Sequence, residues 1–170
     1  MNALMMHQTK TQMLPTIDLS FSEGVQHETS DFVKIAEQSI EKVFLISNLK
    51  IPEHAELSIL IADDEMLQKL NLEWRGKDSP TNVLSFPSSH MNVGNMPEAL
   101  LGDIVISVDT LQREAALENK KFDDHLSHLI IHGFLHLFGY DHETEEEALQ
   151  MESLETRILA ELGIPDPYEN

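Results

Sequence analysis

Leu126, Leu129, Ile130, Ile131, Phe134, Leu135, Leu137 and Phe138 crowd one stretch of the chain so densely that a helix drawn through them keeps almost no polar face. A helix that is apolar around its circumference has to be buried. The segment is therefore expected to form the middle of a core, with the other elements arranged about it. At residues 129–140 the run is far shorter than the ~20 residues a membrane span requires. Residues 1–15 carry neither the basic start nor the apolar run of a signal peptide. No membrane partner is expected. The 170 residues fit one domain, and 41% hydrophobic is a globular share. The chain has no cysteine, which excludes a disulfide framework, a thiolate metal site and a cysteine nucleophile, and suits a reducing, cytoplasmic location.

What interrupts the apolar run is histidine. His132 and His136 lie four apart, ~40° round a helix, so their imidazoles leave adjacent turns side by side. Gly139 offers the positive-φ residue that ends a helix, and the turn it allows carries His142 back toward the other two. Three neutral imidazoles about one ion leave a fourth position open, the arrangement of a catalytic rather than a structural zinc site. One Zn2+ is expected, with nickel or another divalent transition metal able to take its place. The spacing equals the metzincin pattern H-E-x-x-H-x-x-G-x-x-H at all three histidines and at the glycine. Gly133, however, stands where that pattern has its general-base glutamate, which argues against peptide hydrolysis. A cation there still acidifies water to a pKa of about 7 without a carboxylate neighbour. Glycine inside a helix costs ~1 kcal/mol relative to alanine, so another backbone or a substrate is expected to come close at Gly133. His125 and His128 lie on nearly the same stripe and are rival ligands. Only the 132/136/142 set converges from two directions, so hydrogen bonding in the core, or orienting a ligand, is the expected role of the other two. Asp141 adjoins a ligand, and support of it and exposure to water both stay open.

Charge narrows the partners. Eleven Lys+Arg against 30 Asp+Glu leave a net −19, which excludes a broad basic face for nucleic acid and a polybasic membrane surface. RNA or DNA would have to be handled at a small, locally positive site. The candidate is Trp74-Arg75-Gly76-Lys77, where a forked guanidinium and an ammonium offer a phosphate two partners. The plain reading of this segment is a solvated loop with Trp74 packed on the core. Arg113, Lys120 and Lys121 are dispersed and belong to the surface. The acidic run at 143–147 reads as a helix N-terminus that complements the helix dipole, not as a metal cluster.

Periodicity and punctuation divide the chain into a flexible N-terminal tail, 1–13, and a single domain, 14–170. Strands are expected at 14–21, 56–62, 82–86 and 101–108. Helices are expected from a cap at Ser30 or Asp31 to about Asn48, over Met66, Leu67 and Leu70 after Asp63-Asp64, at 109–118, from a cap near Asp123 to Phe138, and at 143–162. A polar loop at 88–98 is expected to be free to move. Strands in the first two-thirds and helices gathered at the end predict an α+β fold with a small sheet: four strands packed with about five to six helices, one of them a zincin-like metal helix.

Two strings together resemble the YbeY family of bacterial endoribonucleases that mature ribosomal RNA. They are H-G-x-L-H-L-x-G-Y-D-H at 132–142 and R-G-K-D-x-P-T-N-V-L-S-F-P at 75–87, with Leu101-Gly102-Asp103-Ile104 between them. The likeness spans roughly residues 55–160, and neither string departs from the pattern. The resemblance implies a compact α+β fold with a small mixed sheet and a zinc ion on His132, His136 and His142. It also implies a functionally required arginine at Arg75, expected to be catalytic by stabilising transition-state charge and, with Lys77, to bind substrate. The implied activity is zinc-dependent, single-strand-specific cleavage in 16S rRNA 3′-end maturation and late-stage ribosome quality control. Single-stranded rRNA, ribosomal particles and small-subunit proteins are the implied partners. Two rivals stand beside it: a metallohydrolase acting on a peptide or small phosphoester, and a non-enzymatic ribosome assembly factor whose metal is structural.

Overall fold

A computed structural model of the chain describes residues 13–25 and 30–169. Of the expected N-terminal tail, residues 1–12 lie outside the described residues, and Met13 is exposed. The elements run β1 (Thr16–Phe21), α1 (Phe32–Ile46), β2 (Glu56–Ala62), α2 (Asp64–Arg75), β3 (Val83–Pro87), β4 (Leu100–Ser107), α3 (Val108–Leu117), α4 (Phe122–Leu137) and α5 (Glu145–Glu161). One four-stranded sheet has the order β1-β2-β4-β3. Its first two pairs are parallel, and β3 lies antiparallel on β4. Five helices on a mixed sheet make the fold α+β, as the order of elements predicts. Among the described residues no helix is long and apolar enough to cross a membrane.

Successive side chains of a strand point to opposite faces, and the sheet uses both. Leu57, Ile59, Ile61, Ile104 and Ile106 join the main core with Ile40, Phe44, Phe134, Phe138 and Ile158. Ala62, Leu84 and Val105 turn the other way, onto Leu67 of α2, with Phe86 packed beside them. Helix α4 is apolar all round because α1, α3, α5, β3 and β4 all pack on it. Its last turn descends on an irregularity in β4, where the register with β2 slips so that Leu57 pairs with Gly102. Gly102 has φ +138, and a Cβ there would sit 2.9 Å from Leu137 Cδ2 and against the Phe86 carbonyl. No side chain fits that conformation or that space.

Strand β1 starts two residues later than expected, and three helix boundaries depart for identifiable reasons. Helix α4 starts at Phe122 with Lys121 as N-cap and no side-chain capping bond. Asp123 instead lies within the first turn and accepts from Ser30 Oγ at 2.7 Å. Helix α2 continues to Arg75, beyond the apolar residues that signal it, because Asn71 is buried and its Nδ2 ties the helix to the Ser79 carbonyl at 2.8 Å. Trp74 is thus helical and 65% exposed, not a loop residue packed on the core. Helix α5 begins one residue after Thr144, which forms a reciprocal capping box with Glu147. The acidic run lies in its first turn, as read from charge.

Candidate metal centre

The alternation along β3 builds the site. Leu84 and Phe86 face α2, whereas Val83 and Ser85 face α4, with Ser85 Oγ donating to the Gly133 carbonyl at 2.8 Å. A Cβ on Gly133 would stand 3.0 Å from Ile104 Cγ2, 3.1 Å from Ser85 Oγ and 3.3 Å from Val83 Cγ2. The protein groups that come closest on that side of Gly133 are therefore side chains of β3 and β4, not a backbone. A glutamate at this position would be driven into the sheet, a physical reason for the missing metzincin base.

His132 and His136 leave α4 on a stripe roughly 60–100° round the helix from that contact, toward the edge of β3. Their Nε2 atoms are 3.0 Å apart and their ring centroids 4.6 Å apart. Beyond them α4 closes through bonds from Gly139 N to His136 O and from Tyr140 N to Leu135 O. Gly139 turns the chain at φ +93, and a Cβ there would meet the Met91 carbonyl at 2.8 Å. The loop expected to be free at 88–98 thus has its backbone seated on the turn. The turn brings the His142 ring to 5.6 Å from that of His132 and 5.1 Å from that of His136. One ligand atom from each of the three lies within 4.8 Å of the others.

Two nitrogens bound to one tetrahedral ion at ~2.05 Å lie about 3.3 Å apart, close to the spacing of the His132 and His136 pair. Burial, and then the facing His132 and His142 rings, push the His136 pKa down to about 4. Its imidazole is neutral at pH 7 with a lone pair to offer. An all-imidazole donor set of this geometry fits one divalent transition-metal ion.

The spacing argument missed Glu155. It comes from α5, is fully buried, and places Oε1 2.5 Å from His132 Nδ1. Its Oε2 is 3.0 Å from His128 Nε2 and also takes the Tyr168 hydroxyl. Burial works to raise this carboxyl, but hydrogen bonds from His128 and His132 outweigh it and hold the pKa at about 2. The ionised carboxylate accepts the Nδ1 proton of His132 and so turns its Nε2 lone pair toward the centre. His128, His132 and Glu155 also gather within 4.8 Å, but a 2.5 Å N···O contact is a hydrogen bond too short to span an ion with ~2.0–2.2 Å bonds on each side. A signal existed in the sequence: Glu155 interrupts the buried stripe Met151, Leu154, Ile158 and Leu159, where a carboxylate needs partners. His125 has its own partner, Glu114 at 2.8 Å, which Asn82 holds at 3.1 Å. Both rival histidines therefore serve as hydrogen-bonding residues. Asp141 accepts from the His142 backbone N–H at 2.8 Å.

The three histidines open on a cleft of about 640 Å³ whose walls are the free edge of β3, the end of α2 and the segment after α4. Arg75 lines this cleft together with the histidines, whereas Lys77, past the end of α2, does not. Asp141 and Glu143 line it as well, so Arg75 is its one Lys or Arg among the described residues.

The sequence model of the family described as Endoribonuclease YbeY matches residues 20–163. A Sinorhizobium medicae protein named Endoribonuclease YbeY is 52% identical over 149 residues, 88% of this chain and 83% of that protein. An Agrobacterium fabrum protein of the same name is 53% identical over 149 residues, with the same two shares of 88% and 83%. A Rhizobium johnstonii protein, again so named, is 60% identical over 114 residues, 67% of each chain. The solution structure of TM1509 from Thermotoga maritima shares the fold, with a TM-score of 0.52 at 23% identity over 92% of this chain and 100% of that one.

Proposed function

This chain belongs to the Endoribonuclease YbeY family, and from that premise we propose that it is a zinc-dependent endoribonuclease acting on single-stranded rRNA. The observation that carries the reading is the convergence of His132, His136 and His142 on one cleft that also holds Arg75. The three histidines would hold the ion, leaving a fourth position open. When bound, a dication supplies Lewis acidity toward a phosphoryl oxygen and lowers the pKa of water to about 7. Arg75 binds the scissile phosphate through its planar fork and stabilises the charge that grows on it. Glu155 keeps His132 in the tautomer that points Nε2 at the ion. Lys77, just outside the lining, serves a flanking phosphate.

The biological role we propose is 16S rRNA 3′-end maturation and late-stage ribosome quality control in the cytoplasm. The net charge of −19 opposes free duplex, so ribosomal particles and small-subunit proteins would present the strand. Purified protein, precursor 16S rRNA and ribosomal particles test this. Cleavage should need the metal, should be faster on particles, and should vanish in both His132→Ala and Arg75→Glu while folding persists. Elemental analysis should find one zinc per chain, lost when all three histidines are replaced. The acidic surface favours one alternative, an assembly factor with a structural metal. Under it Arg75→Glu would leave the cellular role intact, and that result would displace the nuclease reading.

A further inference from the structure

An acidic chain that grips RNA must draw binding free energy from something besides charge. Arg75 shares the lining of the cleft with Asp141 and Glu143. Beside it is Trp74, the single tryptophan of the chain. Leu67, Leu70 and Trp74 lie on one stripe of α2, the stripe that packs on Leu84 and Phe86. Leu67 is fully buried, yet Trp74, two turns further along the same stripe, is 65% exposed. The cause is position: β3 is the edge strand, so the indole reaches past the edge and lines the cleft that holds the histidines. Phe86 braces one side of it in an edge-to-face contact, centroids 5.8 Å apart at 64°, while most of its surface faces solvent. A large aromatic left exposed in a cleft wall and packed on one side is a stacking surface.

We propose that Trp74 is the platform on which one unpaired nucleobase stacks while the adjoining phosphate meets Arg75. The inference rests on the RNA reading above and adds the subsite that selects an unpaired strand, since a base must leave its helix to lie on the indole. Binding driven by stacking, with only the two cationic contacts of Arg75 and Lys77, responds weakly to salt: the log–log slope for a single strand is about −0.7 per phosphate contact, or about −1.4 in all.

The test uses the full chain loaded with zinc and a short fluorescein-labelled, 2′-O-methylated oligoadenylate. Binding is read by anisotropy of the label and by emission of the sole tryptophan. The expected result is quenching of Trp74 in step with anisotropy and a salt slope of about −1.4. Trp74→Ala should lose affinity by roughly 5- to 150-fold, whereas Trp74→Phe keeps most of it. Unchanged circular dichroism and melting temperature would show that both variants fold. RNA binding with undisturbed emission and an unaffected Trp74→Ala variant overturns the platform and leaves the nuclease reading standing. No binding of the oligonucleotide at any salt overturns both. Quenching by an unstructured peptide but not by the oligonucleotide overturns the nucleobase assignment.

Discussion

The Glu155 carboxylate meets His132 at Nδ1 and His128 at Nε2, although its backbone belongs to α5 and its side chain never reaches the cleft. Replacing it with glutamine keeps the shape but removes the charge that holds the His132 tautomer. Glu155→Gln should therefore weaken zinc affinity by roughly 10- to 100-fold, measured by competition with a chromophoric chelator. Gly133 makes the opposite point, because its value lies in the side chain it lacks. Gly133→Glu would not restore a general base. It would force α4 off Ile104, Ser85 and Val83 and bury a carboxylate, costing about 3 kcal/mol or more in urea unfolding. The three histidines were legible together because they are close in sequence, a helix fixing the angle between His132 and His136 and the turn at Gly139 returning His142. Glu155 was not, since it is 23 residues from His132 and only tertiary packing joins them.

Among the elements, β2 and α1 could be read almost to the residue, since one alternates cleanly and the other carries an apolar stripe at helical spacing. Helix α2 was read short because Leu72 falls off the stripe of Met66, Leu67 and Leu70, and its last turn is held by Asn71, whose partner Ser79 lies eight residues on, before Gly76 caps it. The start of α2 is tied to α3 by Asp64. Asp64 Oδ1 accepts from Ser107 Oγ at 2.6 Å and Thr110 Oγ1 at 2.5 Å, and Oδ2 from Arg113 at 2.8 Å. Burial alone would raise this carboxyl, but the hydrogen bonds from Ser107, Thr110 and Arg113 prevail and hold its pKa below the usual 3.8. A lowered native pKa means that the unfolded chain binds the proton first, so stability from this knot is complete above about pH 4 and fades as pH falls below 3.8. Asp64→Asn should accordingly lower the urea midpoint at pH 7, and the gap from the parent should shrink steadily toward pH 2.

For the whole molecule, the core and the candidate metal centre share one helix. An ion on the 132/136/142 set would bind the native state and not the unfolded chain, so metal at about 100 times its dissociation constant should add ~2.7 kcal/mol of stability. His142→Ala should abolish that increment in calorimetry, yet change metal-free stability by no more than about 0.5 kcal/mol, since His142 is exposed. The α+β class followed from element order alone. The neighbour order β1-β2-β4-β3 did not, because periodicity marks which face of a strand is buried and says nothing of which strands adjoin.

Among the described residues, strand β3 pairs on one side only, leaving the other side of its backbone open along the cleft. Such a margin can recruit a strand from another copy of the chain and seed aggregates. A net −19 keeps copies apart by repulsion whose reach shrinks from about 8 Å at physiological ionic strength to about 3 Å at 1 M. Concentrated protein in strong brine should therefore scatter light as it self-associates, and a substrate strand lying over β3 should keep it clear.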